Sequence, residues 1–208
     1  MEFAPTHLPS SERAVGIDVG LEAFATLSNG RRIKNHRYCR AAQAKLRRAQ
    51  RRVARRAKKT SKRRGKAILL LQRAHQHVAD QRRDFQHMWS YRLVQRFGMI
   101  AVEDLNIKGL SAGRLAKAVQ DVGWSAFIHM LDYKAANAGR QVMKVDAKYT
   151  SQERPRCGAL KKKHISERVH QCECGLTLHR DHAAALVILG RGLRLHAQTK
   201  PEIRASVA

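Results

Sequence analysis

Asp18 stands inside the apolar run Ala14-Val15-Gly16-Ile17-Asp18-Val19-Gly20, which reads as a buried strand closed by glycine. An isolated carboxylate in such a strand is costly to desolvate, so Asp18 requires a hydrogen bond, a counter-charge or a metal. A second acid, Glu103, sits in another apolar strand, Met99-Ile100-Ala101-Val102-Glu103-Asp104-Leu105, and a third, Asp181, opens an alanine-rich helix. Two acids on strands and one at a helix start could converge on a divalent metal. Each has an ordinary alternative as a surface or capping residue, and for Asp181 the rival is a plain N-cap. Asp104 and Asp146 read as neighbours of the site rather than ligands.

A second group that could do chemistry is the cysteine segment. Cys157-Gly158 and Cys172-Glu173-Cys174-Gly175 form two knuckles separated by the basic turn Lys161-Lys162-Lys163-His164. Thiolates on paired tight turns assemble tetrahedral zinc sites, and a glycine after the ligand frees the turn. Neither knuckle has the usual C-x-x-C. Arg154 stands at the first ligand position of the first arm, and the second arm is C-x-C. A fourth ligand would come from His164, His170, His179 or water. Zinc binding and three reduced thiols in a decayed ribbon both remain open. Cys39, far away on a basic arm, reads as a small residue.

These groups sit in a chain of 208 residues with 42 Lys+Arg against 16 Asp+Glu, a formal net charge of +26. Such a charge self-repels in a compact protein and favours a polyanionic partner, nucleic acid first. A membrane is disfavoured, because no apolar run approaches the roughly 20 residues that a span needs. Met1-Glu2-Phe3-Ala4-Pro5 has neither the basic nor the apolar region of a secretory signal, so the cytosol is the expected compartment. There, crowded cysteines point to metal more than to disulfides. The length suits one good-sized core with a small appendage.

The elements that must position the acids follow from periodicity. Residues 1–13 are a lead-in with two prolines. The Asp18 strand continues into strands over Ala23–Ser28 and Arg31–Lys34 around an Asn29-Gly30 turn, an antiparallel meander. From about 40 to 97 runs a long basic helical region, broken near Lys59-Thr60-Ser61 and weakened at Gly65. Its second arm carries an apolar stripe at Leu71, Ala74, Val78, Phe85, Trp89 and Leu93, spaced for one helix face. The charges of its first arm are all cations, and a run of one sign fits a phosphate-backbone surface through Arg47, Arg48, Arg51, Arg52, Arg55, Arg56, Lys58 and Lys59. After the Glu103 strand, Asn106–Leu110 reads as a loop, Trp124–Ala138 as a helix ended by Gly139 with Trp124 in the core, and Gln141–Asp146 as a strand. The sum is an α/β chain with an inserted basic helical hairpin.

Four motifs, Val15-Gly16-Ile17-Asp18-Val19-Gly20-Leu21, Val102-Glu103-Asp104-Leu105-Asn106-Ile107-Lys108-Gly109-Leu110, Thr150-Ser151-Gln152 and Arg180-Asp181-His182-Ala183-Ala184-Ala185, closely resemble the insertion-sequence OrfB/TnpB transposase family in order and spacing. That family is related to the compact type V CRISPR effectors. The resemblance covers about residues 14–192. It implies a RuvC-like nuclease on an RNase H-like mixed sheet, over 14–149 and 179–192, with a zinc-ribbon-like insertion at 150–178 and a tail at 193–208. It further implies RNA-guided cleavage of DNA in a prokaryotic, nucleoid-associated setting, with Asp18, Glu103 and Asp181 as the catalytic acids holding Mg²⁺ or Mn²⁺. The insertion's implied zinc ligands are Cys157, Cys172 and Cys174, with His164 or His170.

The chain departs from the family at two further places. It starts almost at the first nuclease motif, so a recognition half is expected to be missing or separately encoded. Ala183 replaces the asparagine that commonly follows the last acid by two residues. The competing expectation is therefore a truncated, catalytically inactive nucleic-acid-binding remnant or regulator. For the ribbon, metal analysis of the purified chain beside a Cys172→Ser variant separates the alternatives: zinc that is present and then lost in the variant marks a working site, and no zinc in either marks a decayed one.

Overall fold

The computed structural model describes residues 7–56, 61–110, 112–113, 115–161, 167–171 and 175–199. In chain order the elements are β1 (Ala14–Val19), β2 (Ala23–Leu27), β3 (Arg32–Lys34), α1 (Tyr38–Ala54), α2 (Lys62–Arg96), β4 (Met99–Asp104), α3 (Ile107–Leu110), α4 (Ala116–Val122), α5 (Trp124–Asn137), β5 (Gln141–Asp146), β6 (Val169–Gln171), β7 (Thr177–His179) and α6 (Arg180–Thr199). Five strands form one mixed sheet in the order β3-β2-β1-β4-β5. The β1–β2 and β2–β3 pairs are antiparallel, whereas β1–β4 and β4–β5 are parallel. The expected meander is there, and the Asn29-Gly30 turn closes it with Gly30 at φ 83°. A separate two-stranded sheet pairs β6 with β7.

Side chains alternate across the sheet, and the alternation assigns each strand residue to a face. Val15, Ile17, Ile100 and Val102 enter the larger core cluster with Phe85, Leu93, Trp124, Phe127 and Leu131 from α2 and α5. Met99, Ala101 and Val145 join Ile188 of α6 on the other face. By the same parity Gly16 and Asp18 belong to the α6 face of β1, and Glu103 to the α6 face of β4.

The seating of α6 depends on missing side chains. A Cβ on Gly16 would lie 2.2 Å from the Ala185 carbonyl and 2.6 Å from the Leu189 nitrogen, and one on Gly192 would lie 2.4 Å from Ala101 Cβ. Small residues on both surfaces let the helix backbone rest directly on β1 and β4.

On the opposite side α2 runs for 35 residues, about 52 Å. Ala74, Val78, Phe85 and Leu93 of its stripe are buried. Gly65 lies inside the helix and does not interrupt it, since at this exposed position a glycine costs only about 1 kcal/mol. Leu46 of α1 packs on Ala74 and Val78, which makes the hairpin a real pair of helices. Asp121 ties the start of α1 to α4: its carboxylate accepts from the backbone N–H groups of Cys39 at 2.8 Å and Arg40 at 3.4 Å. Trp124 is 5% exposed and belongs to the core, as expected.

Two local expectations change. Asn106–Leu110 is not wholly loop: the Asn106 side chain accepts from the Gly109 N–H at 3.0 Å and starts the short helix α3. The last helix continues to Thr199. Among the described residues no helix is long and apolar enough to cross a membrane.

Gly16→Ala is expected to lower folding stability by about 1–3 kcal/mol, because the added methyl meets backbone that cannot move aside cheaply. A urea denaturation midpoint unchanged from wild type would show that α6 does not sit on Gly16 as described.

Candidate active site

The chain order runs from β1 outward through β2 and β3, then returns across β1 to β4 and β5. In open α/β sheets, ligands bind outside the carboxyl ends of strands where the order reverses in this way. Asp18 and Glu103 stand near the carboxyl ends of the two strands at that point. The parallel register pairs Gly16 with Ala101 and Ile17 with Val102, and the same offset sets Asp18 beside Glu103.

Asp181 comes to them on the first turn of α6. It is the second residue of the helix, and its backbone N–H donates to His179 Nδ1 at 3.3 Å. The plain N-cap reading therefore gives way to a carboxylate whose oxygens lie 3.8 Å from His179 Nδ1 and 3.9 Å from Arg180 Nε. Asp18 and Asp181 line a cleft of about 330 Å³ with Glu22, Ser151, Arg168 and Arg180. Glu103 is 8% exposed and borders a different cleft, with Asp104 and Asp132.

Asp18 feels both of the other acids. Burial first, then the Glu103 and Asp181 carboxylates, hold the Asp18 carboxyl well above its ordinary value, against an opposing pull from Arg180. Burial also raises Glu103, while a hydrogen bond from Thr150 and the charge of Arg191 pull it back down. Thr150 Oγ1 bonds both a Glu103 carboxyl oxygen and the Ala147 carbonyl, the latter at 3.1 Å. Burial thus disfavours the charged forms of Asp18 and Glu103.

Sequence reasoning quoted Thr150 without a role and missed Arg191. Arg191, three turns along α6 from the acids, donates from Nε and Nη2 to Glu153 Oε2 at 3.2 and 2.6 Å. Its Nη1 donates to the carbonyls of Asp146 at 2.6 Å and Lys148 at 2.9 Å. This clamp fixes the segment that carries Thr150 against Glu103. Nothing in the spacing of Arg191 marks it, because its partners lie some 40 residues earlier. His182 Nε2 is 3.0 Å from the Ser28 carbonyl and ties the same helix start to the β2–β3 turn, while Ala183 is buried.

The other expected site residues fall elsewhere. Arg47, Arg48, Arg51, Arg52 and Arg55 are exposed on and just beyond α1, Arg56 is half-buried, and none of them forms an ion pair among the described residues. Lys58 and Lys59 lie outside the described residues. So do Cys172, Cys174 and His164, together with the His170 side chain. Cys157 is exposed in a tight turn, where the Gly158 N–H donates to the Arg154 carbonyl at 2.8 Å. Gly158 and Gly175 take φ of 71° and 82°, the freedom expected of a glycine after each knuckle. Among the described residues no three His, Cys, Asp or Glu side chains are grouped so as to hold a metal ion.

Fold and site together define a mixed-sheet α/β protein with Asp18 and Glu103 side by side at the switch point of its sheet and Asp181 in the same cleft as Asp18. The chain belongs to the family described as "Probable transposase", OrfB_IS605, which matches residues 2–114, and the Cas12f1-like TNB domain matches residues 124–188. Two similar bacterial proteins are both named "Putative RNA-guided DNA endonuclease", the second with the suffix InsQ. The one from Streptomyces pristinaespiralis is 37% identical over 195 residues, 92% of this chain and 48% of that protein. The one from Escherichia coli K12 is 32% identical over 186 residues, 81% of this chain and 46% of that protein. The chain thus spans about half the length of the curated relatives it matches. By fold it is similar to a Cas12f1–sgRNA–target DNA complex, at TM-score 0.58 and 16% identity, over 88% of this chain and 50% of that one. A CRISPR-Cas12f ternary complex gives TM-score 0.61 and 18% identity, over 88% and 40%.

The raised carboxyls set a sign for stability against pH. A group whose folded pKa lies above its unfolded value contributes stability that is complete below the ordinary carboxylate range and is lost as pH rises through the folded value. Asp18→Asn should therefore stabilise the metal-free protein at neutral pH, by on the order of 1 kcal/mol per unit of upward shift removed. The gain should shrink toward zero as pH falls below about 4. Urea unfolding of both proteins across that range checks it; a variant less stable than wild type at neutral pH in EDTA would contradict it.

Proposed function

We propose that this chain is the nuclease portion of an RNA-guided DNA endonuclease, a RuvC-like domain on an RNase H-like sheet whose catalytic acids are Asp18, Glu103 and Asp181. The observation that carries the reading is Asp18, which the strand register sets beside Glu103 at the sheet's switch point and which shares a cleft with Asp181, in a chain that otherwise has far more cations than acids. A purely structural site gains nothing from such a cluster.

The donor set fits a hard divalent cation. Mg²⁺ prefers oxygen ligands, keeps several waters and is usually held by one or two carboxylates, so a closed three-residue cage is not required. Asp18, Glu103 and Asp181 would hold it, or Mn²⁺ in its place. When bound, such an ion supplies a water activated at neutral pH and neutralises the leaving oxygen of a phosphodiester. The protein's own residues prepare the site: Thr150 orients Glu103, Arg191 holds Thr150 in reach, and Arg168 and Arg180 line the cleft where a phosphate would approach.

The exposed arginines Arg47, Arg48, Arg51, Arg52 and Arg55, with Arg56, Lys58 and Lys59, act as the backbone-contact surface for DNA or guide RNA. Cys157, Cys172 and Cys174, with His164 or His170, form the zinc-ribbon-like appendage.

The test is cleavage of labelled single-stranded and duplex DNA by the purified chain with its co-purifying RNA, in Mg²⁺ or EDTA. Losing an outer partner of a metal site already costs about 10–100-fold, so Asp18→Ala and Glu103→Ala, checked to be folded, should each cost more. Binding without metal-dependent cutting in every arm would reject the catalytic reading and leave a nucleic-acid-binding protein.

A further inference from the structure

The opposite end of the sheet carries a different chemistry. Arg13 immediately precedes β1, Arg140 immediately precedes β5, and Arg96 lies three residues before β4, so all three gather at the amino ends of the parallel strands. Asp18 and Glu103 stand near the carboxyl ends, and six-residue strands separate the two ends by about 20 Å. The three arginines line a cleft of about 450 Å³ with Ser10, Ser11 and Gln95, and among the described residues no carboxylate lines it.

Arg140 is the informative member. It is 8% exposed, its Nε is buried without a hydrogen-bond partner, and its side chain makes no ion pair among the described residues. A guanidinium is charged at every accessible pH and cannot relieve its burial by losing a proton. Buried charges are ordinarily paired, so one with no counter-charge among the described residues, on a cleft that no described carboxylate lines, calls for an anion from outside.

The cleft is built rather than incidental. The Leu8 N–H donates to the Ala138 carbonyl at 3.1 Å and the Gly98 N–H to the Arg13 carbonyl at 2.8 Å. A Cβ on Gly98 would collide with the Ser11 carbonyl at 1.8 Å, so this wall sits hard against the start of β4. Arg96 also borders an adjoining cleft of about 310 Å³, where the guanidinium carbons of Arg31 and Arg92 lie 4.9 and 5.4 Å from the Trp89 ring centre. Stacking of this kind holds arginine in place while leaving its in-plane donors exposed.

We infer that the cleft formed by Arg13, Arg96 and Arg140 is a phosphate-binding site that grips the backbone of a nucleic acid, remote from the acidic cluster and separate from the arginine face of α1. Arginine forks match phosphate oxygens in pairs, and three of them on one cleft suit a phosphodiester. The site rests on the nucleic-acid reading given above but not on catalysis.

Binding of a fluorescent 20-nucleotide single-stranded RNA, followed by anisotropy from 50 to 300 mM salt, tests it with wild type, Arg140→Met and Arg96→Gln. Each substitution should weaken binding about five-fold near 0.15 M salt and lower the salt slope by about one. Arg83→Gln, an exposed arginine paired with Asp80 about 20 Å along α2 from Arg96, controls for the loss of one charge and should change neither quantity by as much. Thermal unfolding shows whether Arg140→Met is folded, and Arg96, exposed, carries the test if it is not. Equal affinity and slope in the folded variants, or an equal loss in Arg83→Gln, would overturn the site while leaving nucleic-acid binding intact. A wild-type chain that does not bind the RNA would overturn both.

Discussion

Everything at the acidic end depends on how closely α6 rests on β1. Gly16 has no side chain, Ala184 and Ala185 have almost none, and Gly192 meets Ala101 a few turns later. Helix backbone therefore touches strand backbone. Because Gly16 and Asp18 share a face of β1, the contact that seats the helix also delivers Asp181 to the strand acids. A bulkier residue in this seat would lift the first turn of α6 and separate the carboxylates without touching any of them. Tight packing transmits such shifts because the interior has no slack to absorb them.

The scarcity of acid gives the remaining carboxylates definite work. Asp121 closes the start of α1, Glu22 pairs with Arg32 and Arg168, and Glu153 anchors Arg191. The Arg191 clamp joins α6 to the segment after β5, and Thr150 passes that constraint to Glu103. One helix thus governs two of the three acids, Asp181 directly and Glu103 through an arginine and a threonine. Polar groups buried with their bonds satisfied hold a single geometry, and this network does so for a site that is electrostatically reluctant to assemble.

The sheet divides the molecule by charge as well as by face. Parallel strands put like ends together: β1 and β4 bring their acids near one edge, while the residues leading into β1, β4 and β5 bring arginines to the other. The long helix α2 reaches from the basic hairpin to that arginine edge, ending at Arg96. The arginine cleft and the strand acids therefore occupy opposite ends of the parallel strands.

Local order in the chain was enough to place the strand acids, the meander, the helical hairpin and the buried Trp124, because each follows from short-range periodicity and turn chemistry. An acid in an apolar strand announces its own cost, and that cost pointed to Asp18 and Glu103 before any fold was known. Short-range pattern was insufficient for the Asn106 cap of α3, where a helix of one turn leaves too few residues to show a period. It could not reveal Arg191, Thr150 against Glu103, or the buried Arg140, since an arginine in so basic a chain looks like any other. Those roles come from contacts between residues tens of positions apart, made only once α6 closes on β1 and the amino ends of the strands align. Composition set the sign of the surface charge, and packing decided which charges the surface presents.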